Sequence, residues 1–287
     1  MAFTPRRSVL YMPGANTRAL EKAKGLDADV LILDLEDAVA PSQKTLAREQ
    51  VLAAINAGGY GYRELVVRVN GFDTPWGRDD IAAFAQAPVA ALCLPKVESA
   101  AEVRAVAQLL KQHEAPSSLK LWTMAETPRG ILSIDEIAGA DPRMAAIVLG
   151  TSDLAKDLRV PHTPSRLGLI SSLGFCVLAA RAHGLDVLDG VHLDLDDDEG
   201  LAMACAQGVE LGFDGKTLIH PKQLAAANQA FSPTAEQITR AEKVREAWQQ
   251  AEAEGKGVVL VDGRLVEALH VEDALRVLAI AEVLRGR

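Results

Sequence analysis

Three charged residues follow short, strongly apolar segments, where a charged side chain is costly unless it serves a site. Arg68 follows the run ELVV, Glu126 follows LWTMA, and Asp153 lies just beyond AIVLG. Each run has the length and the bounded ends of a buried strand. One cation and two carboxylates at the ends of neighbouring strands form a ready site for a divalent metal and an anionic substrate.

The two carboxylates indicate which metal this would be. Glu126 and Asp153 would repel each other on adjacent strands unless a cation lay between them. Oxygen ligands without a nearby Cys or His favour Mg²⁺ over Zn²⁺. The alternative for any one charged residue is a salt bridge that fixes a loop, and for Asp34 and Lys96 this alternative is as good as a functional role.

Composition excludes several classes of protein. The net charge of −9 argues against a general binder of nucleic acid or of anionic membranes. Cys93, Cys176 and Cys205 are far apart and have no CxxC spacing, so neither a zinc knuckle nor a disulfide framework is expected. No segment has the length of a membrane span, and the first residues lack a signal-peptide pattern. We therefore expect a soluble, cytoplasmic protein with reduced cysteines.

Strand-like and helix-like patterns alternate along most of the chain. Eight strands are predicted at residues 8–12, 30–35, 65–69, 91–94, 121–125, 147–150, 187–190 and 212–219. Eight strands, each followed by a helix, predict a closed (β/α)8 TIM barrel over residues 1–231. An open doubly wound sheet is the alternative, but no G-x-G-x-x-G follows the first strand.

Residues 232–287 are surplus to a barrel and are expected to form a separate C-terminal extension. A long polar helix is predicted to run to about Glu254, followed by a hairpin that turns at Asp262-Gly263. An amphipathic helix is predicted from Val271 to Leu284. This helix–hairpin–helix extension either caps one end of the barrel or reaches a neighbouring subunit.

The barrel assignment brings the charged residues together. Active sites of such barrels lie at the C-terminal ends of the strands, where Arg68, Glu126 and Asp153 are expected. The segment 34–37 and Lys96 belong to the same end. Arg6 and Arg7 precede the first strand at the opposite end, and we expect them to face solvent.

Five segments resemble, in order, the signature blocks of one family. They are RSVLYMPG at 7–14, DLEDAV at 34–39, RVNG at 68–71, LPKVE at 94–98 and GKTLIHP at 215–221. The chain is therefore identified as resembling the citrate lyase beta-subunit-like family, which includes malyl-CoA and citramalyl-CoA lyases. That family is built on a (β/α)8 barrel.

The resemblance implies a Mg²⁺-dependent carbon–carbon lyase. It would cleave a short 3-hydroxyacyl-CoA, of the malyl-CoA or citramalyl-CoA type, to acetyl-CoA and an α-keto acid. Glu126 and Asp153 would hold the metal, and Arg68 would bind the carboxylate and oxygen of the keto acid. The family also implies a homo-oligomer, a trimer or larger.

The resemblance also implies residues near the CoA moiety, namely Tyr11, Lys22, Ile219 and His220. Asn16 stands where relatives can carry an arginine, and Arg18 is a possible substitute. Packing inside the barrel is an equally good reading of Tyr11. For His220, which precedes Pro221, a helix-capping role is favoured over direct chemistry.

A last implied residue is the acid that protonates the product enolate. In the family this is an aspartate in a Gly-Arg-Leu-Val-Asp segment that reaches the active site of a neighbouring subunit. This chain has Glu267 at that position, after Gly263-Arg264-Leu265-Val266. Its stem is longer by one methylene, which extends its reach by about 1.5 Å.

Three other functions remain open. The chain could be the beta subunit of a multi-subunit citrate lyase, with the thioester on an acyl-carrier protein. It could couple condensation to hydrolysis, as malate synthase does. It could also be a non-catalytic scaffold, although a scaffold has no need of Arg68, Glu126 and Asp153 at one end of its strands.

Overall fold

The computed structural model describes residues 4–287. They separate into two compact units, residues 6–230 and residues 231–287 together with 4–5. The first unit is a closed barrel of eight parallel strands in sequence order, as predicted. The strands are β1 Ser8–Pro13, β2 Val30–Asp34, β3 Glu64–Arg68, β4 Ala91–Leu94, β5 Lys120–Ala125, β6 Met144–Leu149, β7 Asp186–Asp189 and β8 Gly215–Leu218.

Helices connect the strands. They are α1 Thr17–Ala23, α2 Lys44–Ala57, α3 Gly77–Phe84, α4 Ala100–Gln112, α5 Pro128–Leu132, α6 Ile134–Ala138, α7 Thr151–Leu158, α8 Ile170–Ala182, α9 Asp198–Leu211 and α10 Leu224–Ala230. Several begin at polar capping residues, since Asn16, Thr127 and Asp197 each accept a hydrogen bond from a backbone N–H of the first turn. Within residues 4–287, no helix is both long and apolar enough to cross a membrane.

The inside of the barrel is packed with alternate residues of each strand. Its core includes Val9, Val30, Ile32, Val66, Ala91, Cys93, Trp122, Met124, Ala146, Val148 and Leu188. Trp122 is the largest fully buried side chain among residues 4–287 and belongs to this core. The apolar filling ends near the C-terminal ends of the strands, where polar residues take the inward-facing positions.

The expectation that Arg6 and Arg7 face solvent is wrong. The Arg6 side chain is only 14% exposed, lies 5.0 Å from the centre of the Trp122 ring, and pairs with Glu64 and Asp186. Arg7 pairs with Asp29 at 2.8 Å. Strands that converge at the N-terminal end of the barrel bring these carboxylates to the arginines, so the arginines close that end.

The second unit has its own small core. It contains helix α11 Ala235–Ala253, strands β9 Val259–Val261 and β10 Arg264–Val266, and helix α12 Ala268–Arg285. The predicted hairpin at Asp262-Gly263 is confirmed, with both turn residues at positive φ, 48° and 75°. One face of the hairpin packs against the two helices. On the other face Leu260 and Leu265 lie directly opposite each other and are 69% and 54% exposed.

Candidate active site

Arg68 and Asp34 are neighbours on adjacent strands and point into the barrel. They are paired in the register of β2 and β3. Arg68 Nε lies 2.7 Å from Asp34 Oδ1 and Nη2 lies 2.6 Å from Oδ2, a two-bond ion pair in which both side chains are buried. The guanidinium also lies 4.8 Å from the centre of the Tyr11 ring. The side chain is therefore held rigidly from two directions.

This pairing changes the role expected of Arg68. Asp34 takes the Nε–H and one Nη2–H of the guanidinium, so the two N–H groups of Nη1 and the second N–H of Nη2 are left for a ligand. In this structure Nη1 lies 3.2 Å from Glu36 Oε2 and 3.5 Å from Asp37 Oδ2. The neighbouring carboxylates hold the pKa of Arg68 above its usual value despite its burial, so the side chain stays charged.

Glu126 follows β5 and is 2% exposed. Its Oε1 accepts a hydrogen bond of 2.7 Å from the backbone N–H of Lys96. The side chain packs on Gly150, where a Cβ would lie only 2.3 Å from Glu126 Oε2, so no larger residue fits there without displacing the carboxylate. Burial raises the pKa of Glu126 to about 7, although Lys96 and Arg68 oppose this rise.

Asp153 lies in the first turn of α7, which starts directly after β6 and Gly150. Its side chain is 31% exposed, and Oδ2 lies 3.3 Å from the ammonium of Lys96. The same ammonium lies 2.7 Å from Glu36 Oε1 and 3.8 Å from Asp37 Oδ1. Lys96 therefore contacts Glu126 through its backbone and Asp153 through its side chain.

Negative charge exceeds positive charge at this end of the barrel. The ionisable side chains that meet here are those of Asp34, Glu36, Asp37, Glu126 and Asp153 against those of Arg68, Lys96 and Lys44. Within this group, five carboxylates face three cations. Burial raises the pKa of Glu36 above its usual value, as expected where negative charges are crowded.

The residues present fit a Mg²⁺ ion. Glu126 Oε2 and Asp153 Oδ1 have no hydrogen-bond partner within the described residues, so each is free to bind a cation. No group of three or more His, Cys, Asp or Glu ligands occurs in residues 4–287. Mg²⁺ keeps several waters and is commonly bound through one or two carboxylates, so the free oxygens of Glu126 and Asp153 suit it.

The four residues assigned to CoA lie on β1, α1 and the segment after β8. Tyr11 points into the barrel, where its hydroxyl lies 3.9 Å from Met124 Sδ, and these are the contacts of a packed core residue. Lys22 is exposed on the last turn of α1. Ile219 is 39% exposed. His220 is confirmed as a helix cap, since its Nδ1 accepts from the Lys222 N–H at 3.2 Å.

Two residues at the site were not foreseen. Lys44 is buried, and its ammonium holds the carbonyl oxygens of Leu35 and Glu36 at 2.8 and 2.7 Å. Nothing in the sequence separates it from a lysine on an exposed helix face. Met124 lies 3.6 Å from Arg68 Nη1. The two-residue alternation along β5 places Met124 on the same face as Glu126, so this contact was available from the sequence.

Glu267 belongs to the second compact unit. It directly precedes α12, its side chain is exposed, and its backbone N–H donates to His270 Nδ1 at 3.0 Å. The carboxylate is therefore accessible on the surface of that unit. Arg264, in the same segment, is exposed on β10.

Comparisons with known proteins agree with this architecture. A family model described as HpcH/HpaI aldolase/citrate lyase matches residues 7–221. A (3S)-malyl-CoA thioesterase of Cereibacter sphaeroides is 50% identical over 98% of this chain and 96% of its own length. A citrate lyase subunit beta of Escherichia coli K12 is 35% identical over 97% of this chain and 94% of its own length.

Solved structures also match this chain. The protein CitE from Mycobacterium tuberculosis, in complex with magnesium, acetoacetate and coenzyme A, has a TM-score of 0.77 and 30% identity. The match covers 98% of this chain and 99% of that one. A citrate lyase beta subunit from M. tuberculosis with oxaloacetate and magnesium has a TM-score of 0.67 and 32% identity, over 80% of this chain and 98% of that one.

Proposed function

The chain belongs to the HpcH/HpaI aldolase/citrate lyase family, and we propose that it is a Mg²⁺-dependent lyase for a short 3-hydroxyacyl-CoA of the malyl-CoA type. The observation that carries the proposal is the buried Arg68–Asp34 pair beside two carboxylates with free oxygens. Magnesium and small keto acids in the CitE structures support the same ligand classes for this chain. The products would be acetyl-CoA and an α-keto acid such as glyoxylate or pyruvate.

Each proposed residue has a task that follows from its surroundings. Glu126 and Asp153 would hold the ion through Oε2 and Oδ1. When bound, the ion would supply a Lewis acid that polarises the substrate hydroxyl. Arg68 would hold the carboxylate of the departing keto acid through Nη1, while Asp34 keeps the guanidinium in position.

Cleavage needs two proton transfers. The 3-hydroxyl gives its proton to a general base, and the bond between C2 and C3 breaks. C3 becomes the keto carbon, and the electron pair of the broken bond passes to C2 as the thioester enolate. The enolate then takes a proton at C2 from an acid within hydrogen-bond reach. We assign this acid to Glu267 of a second copy of the chain. The exposed pair Leu260 and Leu265, on the hairpin that leads to Glu267, supports its contact with another subunit.

CoA would lie beside the segments after β1 and β8. Lys22 and Arg18 are exposed on α1 and provide positive charge for its phosphates. Ile219 offers an exposed apolar side chain next to His220. The position of Tyr11 beside Arg68 fits a role in supporting the guanidinium.

Thioester hydrolysis is the second candidate. It is favoured by one specific observation, the 50% identity to a (3S)-malyl-CoA thioesterase. In this reaction water attacks the thioester carbonyl, the C–S bond breaks, and CoA leaves as the free thiol with malate as the other product. The resemblance to citrate lyase beta subunits supports the third candidate, a thioester carried by a separate protein.

One assay separates the candidates. Purified protein is incubated with Mg²⁺ and malyl-CoA or citramalyl-CoA, and keto acid, free thiol and malate are measured together. Keto acid and acetyl-CoA in equal amounts without free thiol would support the lyase. Free thiol and malate without keto acid would replace it by the thioesterase. No product from either ester, with activity only on an acyl-carrier thioester, would favour the citrate lyase subunit.

A further inference from the structure

Lys96 joins both proposed metal ligands. Its backbone N–H donates to Glu126 Oε1 at 2.7 Å, and its ammonium lies 3.3 Å from Asp153 Oδ2. The residue adopts a left-handed backbone conformation with φ 50°, which is uncommon for a residue with a side chain. Such a conformation persists where the surroundings determine it, and here both ends of the residue are held by carboxylates.

The two ion pairs of the ammonium differ in strength. The contact with Glu36 Oε1 is a hydrogen bond of 2.7 Å, while the contact with Asp153 is longer, at 3.3 Å. The Lys96 side chain is 45% exposed, so solvent reaches part of it. Burial alone would lower the pKa of Lys96, but the hydrogen bond to Glu36 and the other carboxylates raise it, so the group is a permanent cation.

We propose that Lys96 is a place-holding cation of the metal site, whose ammonium holds Asp153 when no metal is bound and releases it to the ion. This inference rests on the proposed Mg²⁺ site. Like charges repel, so an ammonium in contact with Asp153 opposes a divalent ion on the same carboxylate. The contact with Glu36, which is not a proposed ligand, would remain. Lys96 therefore keeps the carboxylates assembled without metal, and it weakens metal binding as a consequence.

The test is the Mg²⁺ affinity of purified protein, measured by isothermal titration calorimetry. Lys96→Met removes the ammonium and keeps the backbone N–H that binds Glu126. We expect its dissociation constant for Mg²⁺ to fall on the order of tenfold. The matched control is Lys156→Met, because Lys156 lies on the same helix as Asp153, is 72% exposed, and pairs with Asp157. This variant loses the same charge, but the charge of Lys156 is exposed and screened by solvent. Its dissociation constant for Mg²⁺ should therefore change less than about twofold.

A second measurement covers the case in which the variant folds poorly. Without metal, Lys96→Met should have a lower melting temperature than the wild type, because its carboxylates lack a counterion. Saturating Mg²⁺ should then raise its melting temperature by more than it raises that of the wild type. In a crystal structure of the wild type with Mg²⁺, the Lys96 Nζ–Asp153 distance should exceed about 4 Å, beyond an ion-pair contact.

Each outcome decides a different claim. Wild-type binding of Mg²⁺ with tighter binding by Lys96→Met supports the place-holder. Wild-type binding with unchanged or weaker binding by Lys96→Met, or a Mg²⁺ complex in which Lys96 still contacts Asp153, overturns the place-holder and leaves the metal site standing. Absence of Mg²⁺ binding in every variant overturns both.

Discussion

Arg68 and Asp34 form a two-bond ion pair inside the barrel, with Nε–Oδ1 at 2.7 Å and Nη2–Oδ2 at 2.6 Å. The pair fixes the direction of the guanidinium and leaves Nη1, together with the second N–H of Nη2, to meet a substrate. Asp34 is therefore a positioning residue for Arg68. The chemistry proposed for the site depends on both residues, although only Arg68 would touch the keto acid.

Asp34→Asn should destabilise the protein. The amide keeps the shape of the carboxylate, but it presents an N–H group to a guanidinium N–H and leaves the buried charge of Arg68 without its two-bond partner. Loss of one member of a buried ion pair costs about 3–5 kcal/mol. Urea unfolding at neutral pH measures this change. A loss below about 0.5 kcal/mol, typical of an exposed pair, would show that the pairing matters little.

Arg68→Ala should lower turnover by a factor on the order of 10²–10³, the usual effect of removing one preorganised charge-stabilising donor. Arg68→Lys keeps the charge but cannot make the two-bond pair with Asp34, so it should recover little of the loss. Steady-state kinetics on the ester identified above provides the measurement. Wild-type turnover in Arg68→Ala would remove the keto-acid role of this residue.

The stability of the metal-free protein should depend on Glu126 and pH. Burial raises the pKa of this carboxyl to about 7, above its ordinary value of 4.5. Between these two pH values the folded protein binds the proton more tightly than the unfolded chain does. The contribution of Glu126 to the free energy of unfolding therefore falls as pH rises from about 4.5 to about 7, by at most about 3 kcal/mol.

Unfolding of wild type and Glu126→Gln, in EDTA at pH 5 and pH 8, tests this dependence. The Gln variant cannot ionise, so on going from pH 5 to pH 8 the wild type should lose more stability than the variant does. An equal change in both proteins would mean that Glu126 has an ordinary pKa in the folded state.

The Glu267 assignment predicts activity shared between subunits. Glu267→Gln should slow cleavage strongly while metal binding and assembly stay intact, since the residue is exposed and caps only its own helix. Glu267→Asp should preserve the chemistry, and higher activity on substrates suited to the shorter acid would not contradict the role. Glu267→Gln and Arg68→Ala protein, each strongly slowed alone, should regain partial activity when mixed. If subunit exchange is proven and no activity returns, Glu267 serves its own barrel or has no part in the chemistry.

Much of this architecture could be predicted from the sequence, because it depends on local patterns. Apolar runs predicted all eight barrel strands to within three residues, and Asp262-Gly263 predicted the hairpin. The contacts that could not be predicted join residues that are far apart in the sequence. The register that pairs Asp34 with Arg68 is set by closure of the barrel. The same closure buries Arg6 beside Trp122, and no local pattern contains that information.

The site itself was predicted as a set of residues but not as a set of contacts. Arg68, Glu126 and Asp153 were singled out because charges at strand ends are visible in the sequence. The bridge made by Lys96 was not visible, because it depends on a left-handed backbone conformation and on a side chain that spans two loops. Lys44 was missed for a similar reason, since its burial results from the fold of the loop after β2.

Mg²⁺ binding between Glu126 and Asp153 is the central claim about this site. Calorimetric titration of the wild type should give one ion per chain, and a structure of the complex should show octahedral oxygen coordination with both carboxylates and several waters. Glu126→Gln combined with Asp153→Asn should abolish binding, while the control Asp157→Asn, on the same helix and outside the site, should keep it. Absence of binding to the wild type, or equal binding to the double variant, would contradict the account.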